Sequence, residues 1–563
     1  MENIEIADRL NELADLLEIR GANPFRIRAY RNAVRTVRGL TRPLAAVEDL
    51  TDLPGIGKDM SSHIRELLET GELELIKEVA REVPRELAVL TRLDGVGPKK
   101  ARKLWKELGV TTPDTLEEAV EDGRVEALEG FGRKSAEKIL RAIEDHRKHT
   151  GRFLRTEAAQ LLRGLLEHLE KGPGVERLEV AGSYRRGRST VGDIDILALA
   201  PPELMPHFTS YAEVDRIEME GDTRGSVVLR SGLPVDLRIL EPAAYGAALH
   251  YFTGSKEHNV EIRSRARKRG LKVSEYGVFD GDDRVGGETE EAVFEAVDLP
   301  WIPPVLRENR GEIEAAEAGE LPELVTVDRI RGDLHMHTTW SDGRNTIAEM
   351  ARACRERGYE YLAITDHSQA VTVARGLTPE RLREQWAELD EVAEGIPIFR
   401  GCEVDILKDG SLDLPDEVLE ELDLVLVAVH SHMRLDPKAQ TERILRALEH
   451  PMVDILVHPT GRLLNRREPY SVDVEAILEA AKEHGVAVEL NANPRRLDLH
   501  DRHLNRAKEL GVPVSVATDA HRIEHLDFME SGLEEARRGW LEASDVLNTL
   551  GIDDFRSWLG RRR

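Results

Sequence analysis

The sequence contains only two cysteines, Cys354 and Cys402, which are too few for a disulfide framework. It has no apolar run near the roughly 20 residues that a membrane-spanning helix needs, and no secretion signal pattern at its start, so we expect a cytoplasmic protein. Basic residues are also in deficit: 79 Lys and Arg against 106 Asp and Glu give a net charge of −27. This charge excludes binding of nucleic acid by the surface as a whole, so any such contact must come from local basic segments.

The segment 182–195 combines a glycine-serine turn with two aspartates. Asp193 and Asp195 are two residues apart in an apolar strand pattern, so their side chains share one face, and Asp236 follows in a second strand-like run. Three carboxylates of this kind suit two Mg²⁺ ions, while Gly182 and Ser183 offer donors to a triphosphate. The pattern predicts nucleotidyl transfer, and the alternative is a pair of solvated strand carboxylates.

Three apolar-x-Gly-apolar-Gly turns, each followed by a helical pattern, occur in the first 150 residues. Glycines allow a positive φ and a close approach, and the following helix directs backbone amides at a DNA phosphate. One such turn alone would often only cap a helix, but three favour the helix-hairpin-helix motif. The predicted DNA-binding glycines are Gly55, Gly57, Gly95, Gly97, Gly130 and Gly132.

With the hairpins and aspartates together, the first 310 or so residues resemble the family X DNA polymerases, the group that includes polymerase beta. The resemblance implies that Asp193, Asp195 and Asp236 are catalytic, and that Ser183 and Arg186 hold the β and γ phosphates. It extends to Tyr-Phe-Thr-Gly at 251–254, which in the family packs beneath the incoming sugar and base. The further nucleotide-binding positions that it implies are Gly182, Gly192, Tyr251, Phe252, Gly254 and Asn259, with Arg263 on the template strand.

One position departs from the family members that have deoxyribose-phosphate lyase activity. Those members carry a lysine nucleophile on the helix after the first hairpin, where this sequence has His63. An imidazole cannot form the same Schiff base, so the sequence leaves this lyase activity open. Arg26 and Tyr30 are still available to bind a 5′-phosphate.

Beyond residue 330 apolar strand runs alternate with helical stretches, which predicts a parallel barrel with its functional groups at the carboxyl ends of the strands. Histidines and carboxylates recur at those ends, and such ligands suit Zn²⁺ or Mn²⁺ ions that activate water. Residues 330–563 resemble the polymerase and histidinol phosphatase (PHP) domain, with a cluster of three ions. The ligand positions are His335, His337, Asp342, His367, Glu403, His430, His458, Asp519 and His521. Asn491 and Arg462 are candidate phosphate contacts.

We therefore expect a multidomain chain with an α-helical helix-hairpin-helix N-terminal region, an α+β nucleotidyltransferase palm and a C-terminal distorted (β/α) PHP barrel. Its expected domains are a lyase-like domain (1–85), a fingers-type domain (86–150), the palm (151–241), a nucleotide-selecting thumb-type subdomain (242–311), a linker (312–329) and the PHP domain (330–563).

A polymerase core fused to such a barrel resembles the bacterial and archaeal polymerase X proteins. The resemblance implies gap filling in DNA base excision repair, 3′–5′ exonuclease activity and possible cleavage at abasic sites. The expected partners are gapped or primer-template DNA and dNTPs, with no membrane, for a monomer in the nucleoid. The alternatives are a nucleotidyltransferase with a non-DNA substrate and a DNA-binding scaffold or nuclease with an inactive palm.

Overall fold

The computed structural model describes residues 3–38, 44, 47, 49–53, 55–70, 72–91, 93, 96–128, 130–132, 135–136, 138–140, 142–143, 152–392, 395–465, 467 and 469–560. The chain divides into two compact units. The first contains Met1–Gly151, Val228–Gly232 and Ser255–Gly270, and the second contains Arg152–Val227, Leu233–Gly254 and Leu271–Arg563. Within the described ranges, no helix is both long and apolar enough to cross a bilayer.

The first unit is helical. Proline opens several of its helices, where the missing N–H costs nothing, and Gly109 closes one in the left-handed conformation. The apolar faces of the helices before residue 144 meet in one core that includes Leu13, Leu67 and Leu104. The helices are Asn3–Arg20, Pro24–Arg38, Lys58–Thr70, Glu74–Ala80, Leu87–Leu90, Pro98–Leu108, Pro113–Glu121 and Lys256–Lys268.

A mixed five-stranded sheet, with strand order β2-β4-β7-β6-β5, begins the second unit, and β1 pairs with β3 beside it. β4 is antiparallel to β2 and parallel to β7. The strands are β1 (Phe153–Leu154), β2 (Arg177–Val180), β3 (Thr190–Val191), β4 (Ile194–Leu199), β5 (Val214–Glu220), β6 (Arg224–Leu229) and β7 (Pro234–Leu240). The helices of this region are Arg155–Glu170, Gly182–Arg185, Leu204–Thr209 and Tyr245–Thr253.

A small antiparallel sheet follows, formed by β8 (Leu271–Ser274), β9 (Gly277–Asp280) and β10 (Asp283–Gly286), and then the helix Glu290–Glu295. The buried carboxylate of Glu290 receives Arg307 Nη1 at 2.6 Å and both terminal nitrogens of Arg185 at 2.8 Å. This pairing joins the helix Glu290–Glu295 to the glycine-serine turn.

Residues 312–329, the expected linker, have regular structure, and their role as a linker stays a prediction. They contain the helix Glu312–Ala318, whose Glu312 is buried and accepts hydrogen bonds from the backbone N–H groups of Asn309 and Arg310. Val325 N–H then donates to the carbonyl of Leu541 at 3.0 Å. An acidic, alanine-rich composition therefore marks a helix here, since alanine and glutamate are strong helix formers.

The C-terminal part is a seven-stranded parallel barrel in which neighbouring strands follow the chain order. A bridge between Met336 and Ala520 brings its first and last segments together. Its strands are β11 (Gly332–Asp333), β12 (Tyr361–Ile364), β13 (Ile398–Asp405), β14 (Leu424–Ala428), β15 (Ile455–Leu456), β16 (Ala487–Asn491) and β17 (Val514–Ala517).

Helices alternate with the barrel strands, and the strands read as continuous apolar runs because both of their faces are covered. The helices are Ile347–Glu356, Pro379–Val392, Asp416–Leu419, Pro437–Leu448, Val474–His484, Asp501–Leu510, Met529–Arg538 and Ile552–Gly560. The predicted fold class, from the helical N-terminal region to the parallel barrel, is confirmed.

Candidate active sites

The first candidate site lies on two neighbouring strands of the five-stranded sheet. Asp195 on β4 is paired in register with Asp236 on β7, and Asp193 stands directly before β4. Asp193 is exposed, and the other two are half-buried. The sheet thus places Asp195 beside Asp236, with Asp193 two residues before Asp195, directly before β4.

Electrostatics at these aspartates favour a cation. Burial, reinforced by the charges of Asp193 and Asp236, raises the pKa of Asp195 to about 6, although Arg238 and Arg186 act in the opposite direction. Like charges this close disfavour ionisation of all three carboxyls together. A divalent cation removes that repulsion, and carboxylate oxygens are the ligands that Mg²⁺ prefers. The donor set therefore fits magnesium.

Asp236 is held by its neighbours on the sheet. Ser226 Oγ donates to Asp236 Oδ1 at 2.5 Å, and the Nη2 atoms of Arg224 and Arg238 lie 3.6 and 3.8 Å from Asp236 Oδ2. One carboxylate oxygen is therefore fixed by a hydrogen bond while the other faces only distant cations.

The glycine-serine turn is packed directly against the aspartates. Gly182 has φ +64°, and a Cβ atom there would lie 2.8 Å from Asp195 Oδ2, so both the backbone and the space favour glycine. Ser183 is half-buried on the same turn, and Gly192 lies between β3 and β4. Arg186 is paired within the protein: its Nε donates to Glu308 at 3.0 Å. Glu308 would therefore compete with a phosphate for the Arg186 guanidinium.

The Tyr-Phe-Thr-Gly residues end the helix Tyr245–Thr253. The rings of Tyr251 and Phe252 meet edge to face with centroids 5.1 Å apart, and the Arg238 guanidinium lies 4.1 Å above the Phe252 ring. Gly254 follows with φ +70° and closes the helix. Phe252 and Asp236 thus share the neighbour Arg238, which connects the predicted base platform to the aspartates.

Asn259 and Arg263 lie on the helix Lys256–Lys268 of the first unit, one turn apart, and Arg263 Nε donates to the Asn259 carbonyl at 3.2 Å. Their contacts with a base and with the template strand stay predictions.

The three glycine hairpins share one backbone pattern. In each, the carbonyl of the second glycine accepts from the N–H four residues later, as Gly57 does from Ser61 at 2.8 Å. The other two are Gly97 with Ala101 and Gly132 with Ala136. The first glycines Gly55 and Gly130 have φ +79° and +88°, while Gly95 lies outside the described residues.

Near the first hairpin, His63 occupies the position where lyase-active family members carry lysine. Its Nδ1 lies 3.1 Å from the Tyr30 hydroxyl, and the two rings are stacked with centroids 5.9 Å apart. Burial lowers the pKa of His63, so the imidazole is neutral at pH 7.

The second candidate site lies in the barrel and is centred on Glu403. Its Oε1 is 2.8 Å from His458 Nε2 and 3.2 Å from His430 Nε2. Its Oε2 is 2.9 Å from His367 Nδ1 and 3.3 Å from His335 Nε2. A single carboxylate thus lies among four imidazoles from different strand ends, as an ion-bridging ligand would.

The remaining predicted ligands extend the cluster. His337 Nε2 is 3.2 Å from Asp519 Oδ1, and His521 Nε2 is 3.4 Å from Asp342 Oδ2. Three groups in this cluster have all their ligand atoms within 4.8 Å of one another: His337, Asp342, His367 and His521; His335, His337 and Asp519; and His367, Glu403 and His430. In the described ranges the palm aspartates form no group as tight as these.

Several ligand atoms of the barrel cluster are buried without a hydrogen bond. Among the described residues these are the Nδ1 atoms of His337 and His458, and also Glu403 Oε2 and His367 Nδ1, which lie 2.9 Å apart without hydrogen-bond geometry. Burial lowers the pKa of His337 and His458 to about 4, which keeps these imidazoles neutral, as metal ligands must be. Such atoms need a partner. The mixed nitrogen and oxygen set fits borderline metals such as Zn²⁺ or Mn²⁺.

Two orienting carboxylates were not anticipated from the sequence. Glu489 Oε1 lies 2.6 Å from His335 Nδ1, and Asp405 Oδ1 lies 3.2 Å from His430 Nδ1. Each fixes the ring through the nitrogen that faces away from the cluster, as carboxylates behind metal-bound histidines do. The available signal was a carboxylate inside an apolar strand run, because such a buried charge needs a partner.

The candidate phosphate contacts behave differently from each other. Asn491 Nδ2 donates to Asp519 Oδ2 at 3.1 Å and so touches the ligand cluster. Arg462 is buried and donates to the carbonyls of Arg496 and Leu497. These bonds hold Arg462 in the fold, and its contact with a phosphate stays a prediction.

Comparison with known proteins adds four family matches. They are a helix-hairpin-helix domain at residues 1–73, a SAM-like helix-hairpin-helix tandem at 87–145, a DNA polymerase beta thumb at 248–308 and a PHP domain at 333–493.

Curated relatives match the whole chain or parts of it. The DNA polymerase/3′-5′ exonuclease PolX of Bacillus subtilis is 40% identical over 570 aligned residues, which cover 100% of both chains. A probable phosphatase of Thermoanaerobacter is 32% identical over 38% of this chain and 89% of its own length. Rat DNA polymerase lambda is 25% identical over 54% of this chain and 56% of its own.

Proposed function

The chain belongs to the family X DNA polymerases with helix-hairpin-helix domains, a polymerase beta thumb and a C-terminal PHP domain, and we propose that it fills short gaps during DNA repair and trims 3′ ends at a second site. The observation that carries this proposal is the presence, in one chain, of the aspartate site on the sheet and the histidine-carboxylate cluster of the barrel. We further propose that it acts as a monomer on DNA of the nucleoid.

At the sheet, Asp193, Asp195 and Asp236 would hold two Mg²⁺ ions, which activate the primer 3′-hydroxyl and neutralise the leaving pyrophosphate. Asp236 accepts the proton of that hydroxyl, because its Oδ2 forms no short hydrogen bond with the residues that the structure describes. Ser183 and Arg186 bind the β and γ phosphates of the dNTP. Arg186 leaves Glu308 when the triphosphate arrives.

Other residues of the chain are proposed to contact the incoming nucleotide and the DNA strands. Tyr251, Phe252 and Gly254 form the surface beneath the incoming sugar and base, while Asn259 and Arg263 contact the base edge and the template. The hairpin glycines allow backbone amides to contact phosphates on both sides of a gap without reading sequence. The domain boundaries proposed from the sequence place these roles in successive parts of the chain.

In the barrel, the nine ligands would hold a cluster of Zn²⁺ or Mn²⁺ ions, which supplies a water molecule activated for attack on phosphorus. Glu489 and Asp405 fix the His335 and His430 rings, and Asn491 steadies Asp519. Cleavage of the terminal phosphodiester by this site gives the 3′–5′ exonuclease. Abasic-site cleavage is a further proposed reaction of the same cluster.

The test is to compare Asp193→Ala and His337→Ala on a labelled primer facing a one-nucleotide gap with a 5′-phosphate. Asp193→Ala should abolish template-directed extension and keep 3′ shortening, whereas His337→Ala should do the reverse. Matched controls are Asp215→Ala, at an exposed position on β5, and His484→Ala, at a helix end of the barrel.

Both controls should retain both activities. Loss of both activities from either active-site substitution, in protein that melts like wild type, would refute the two-site proposal. Extension with ribonucleotides in preference to dNTPs would favour the alternative nucleotidyltransferase function.

A further inference from the structure

One barrel helix touches the glycine-serine turn of the palm. This helix, Met529–Arg538, carries Glu534 and Arg538 one turn apart, so both side chains lie on the same face. The segment that they reach is residues 182–187, which we call the phosphate turn. It includes Ser183 and Arg186, the proposed phosphate ligands.

Arg538 bonds directly to the phosphate turn. Its Nη1 donates to the Arg186 carbonyl at 2.6 Å and to Glu308 Oε1 at 3.1 Å, and its Nη2 donates to Asp501 Oδ2 at 2.7 Å. The side chain is only 2% exposed. A buried arginine with three acceptors in its plane is fixed in position, because moving it would leave buried charges unpaired.

Glu534 reaches the same turn through one intermediate. It forms an ion pair with Arg155, whose Nε donates to the Tyr184 carbonyl at 3.2 Å and whose guanidinium lies 4.7 Å above the Tyr184 ring. The barrel helix therefore holds the carbonyls on both sides of Arg185.

Two arginines of the phosphate turn also donate hydrogen bonds to Thr253, at the end of the helix Tyr245–Thr253. Arg185 Nη1 donates to Thr253 Oγ1 at 2.8 Å, and Arg186 Nη1 donates to the Thr253 carbonyl at 2.5 Å. A shift of the turn would therefore move the surface on which the sugar and base are proposed to lie.

Glu308 is the shared acceptor in this network. It receives Arg186 Nε at 3.0 Å and Arg538 Nη1 at 3.1 Å, both on Oε1, while Arg188 lies 3.5 Å from Oε2. When Arg186 turns to a triphosphate, Glu308 keeps Arg538 as its partner. Without Arg538, Glu308 would hold Arg186 more strongly and would compete with the phosphate.

We propose that Arg538, a residue of the C-terminal barrel, is a positioning residue for nucleotide binding by the palm: it anchors the phosphate turn and partners Glu308 when Arg186 binds the dNTP. This inference rests on the proposed polymerase function. It assigns the barrel a role in polymerisation that is separate from its own metal cluster.

The experiment measures gap filling by the full-length protein as a function of dNTP concentration, with Arg538→Ala beside wild type. Loss of a charge-assisted bond of this kind should raise KM for dNTP by about ten-fold and change kcat by less than about two-fold. The 3′ exonuclease should stay at the wild-type rate. The matched control is Arg537→Ala, because Arg537 on the same helix pairs with Glu530 instead.

A second substitution separates positioning from a general loss of packing. Adding Glu308→Gln to Arg538→Ala should lower the raised KM again, because the competing carboxylate is gone. Arg538→Lys, which keeps the charge but lacks the planar fork, should raise KM by about three-fold. Arg538→Lys also tests the proposal if Arg538→Ala does not fold.

A KM equal to that of Arg537→Ala, or a double variant worse than Arg538→Ala alone, would overturn the inference. If wild type itself extends no primer, the proposed function fails, which is a distinct result. A normal KM with slow exonuclease would instead assign Arg538 to the barrel and also refute the inference.

Discussion

Replacing Glu489 by glutamine tests whether the barrel cluster depends on the carboxylate behind His335. Glu489 uses both oxygens: Oε1 lies 2.6 Å from His335 Nδ1, and Oε2 accepts the His458 N–H at 2.6 Å. If His335 binds a metal through Nε2, its Nδ1 carries the proton and is a donor. Glu489 then accepts from three donors on its two oxygens, because Asn491 Nδ2 also donates to Oε2 at 3.2 Å.

A glutamine at this position has only one acceptor oxygen, and its amide nitrogen would meet the other donor. At least one buried donor is then left without an acceptor, which costs about 1–3 kcal/mol. That cost corresponds to a loss of roughly 5- to 150-fold in metal affinity, in line with the 10- to 100-fold effects of such orienting carboxylates. The volume of the side chain is unchanged, so the fold should hold.

The assay is metal content after dialysis against a graded chelator buffer, followed by exonuclease rate as Zn²⁺ or Mn²⁺ is restored. Glu489→Gln should need at least ten-fold more free metal for half-maximal activity, with gap filling unaffected. Glu483→Gln, an exposed change on the preceding helix, should behave as wild type. An unchanged metal requirement for Glu489→Gln would refute the reasoning.

Gly182→Ala should slow gap filling by at least about ten-fold, because the new methyl group would lie 2.8 Å from Asp195 Oδ2. Gly281→Ala, at φ +60° with open space, should match wild type, and equal rates for both would contradict the close packing. In acid, burial opposes ionisation of Glu308, but Arg538 and neighbouring guanidinium groups lower its pKa from 4.5 to about 2. This depressed pKa stabilises the fold above pH 4.5 by about 3 kcal/mol, and the contribution is lost as pH falls through 2. The Tm of Glu308→Gln should therefore fall less than the wild-type Tm as the pH is lowered. Equal decreases in Tm for the two proteins would refute this reasoning.

The barrel and its ligand cluster could be predicted from the sequence for a physical reason. Parallel strands covered on both faces read as apolar runs, and the chain direction places the residue after each run at one common edge. His430 after β14 and His458 after β15 were found in this way. Asp193 and Asp195 were grouped because alternate residues of a strand share one face, and Asp236 was taken from a second strand-like run, which the structure pairs in register with the first.

Other parts of the site depend on contacts that no local pattern encodes. Arg538 bonds to the Arg186 carbonyl across 352 residues of sequence, and Arg155 pairs with Glu534 across 379. Charged residues on an amphipathic helix read as a solvated face, and only tertiary packing shows that this face is buried. The same holds for Glu312 in the expected linker, whose burial could not be read from the acidic, alanine-rich composition.

The polymerase and exonuclease activities can be independent even though a barrel helix supports the palm. This is because that helix, Met529–Arg538, is held by contacts away from the metal ligands. Glu535 on this helix accepts the Asp501 N–H at 3.1 Å, and Leu533 is buried in the barrel core. Gly532 packs so closely that a Cβ atom would lie 2.5 Å from Ala492 Cβ. These contacts do not involve His337, so His337→Ala removes a ligand and leaves the helix in place. Arg538 can therefore act on nucleotide binding in a protein whose exonuclease is disabled, and KM for dNTP in His337→Ala should equal the wild-type value.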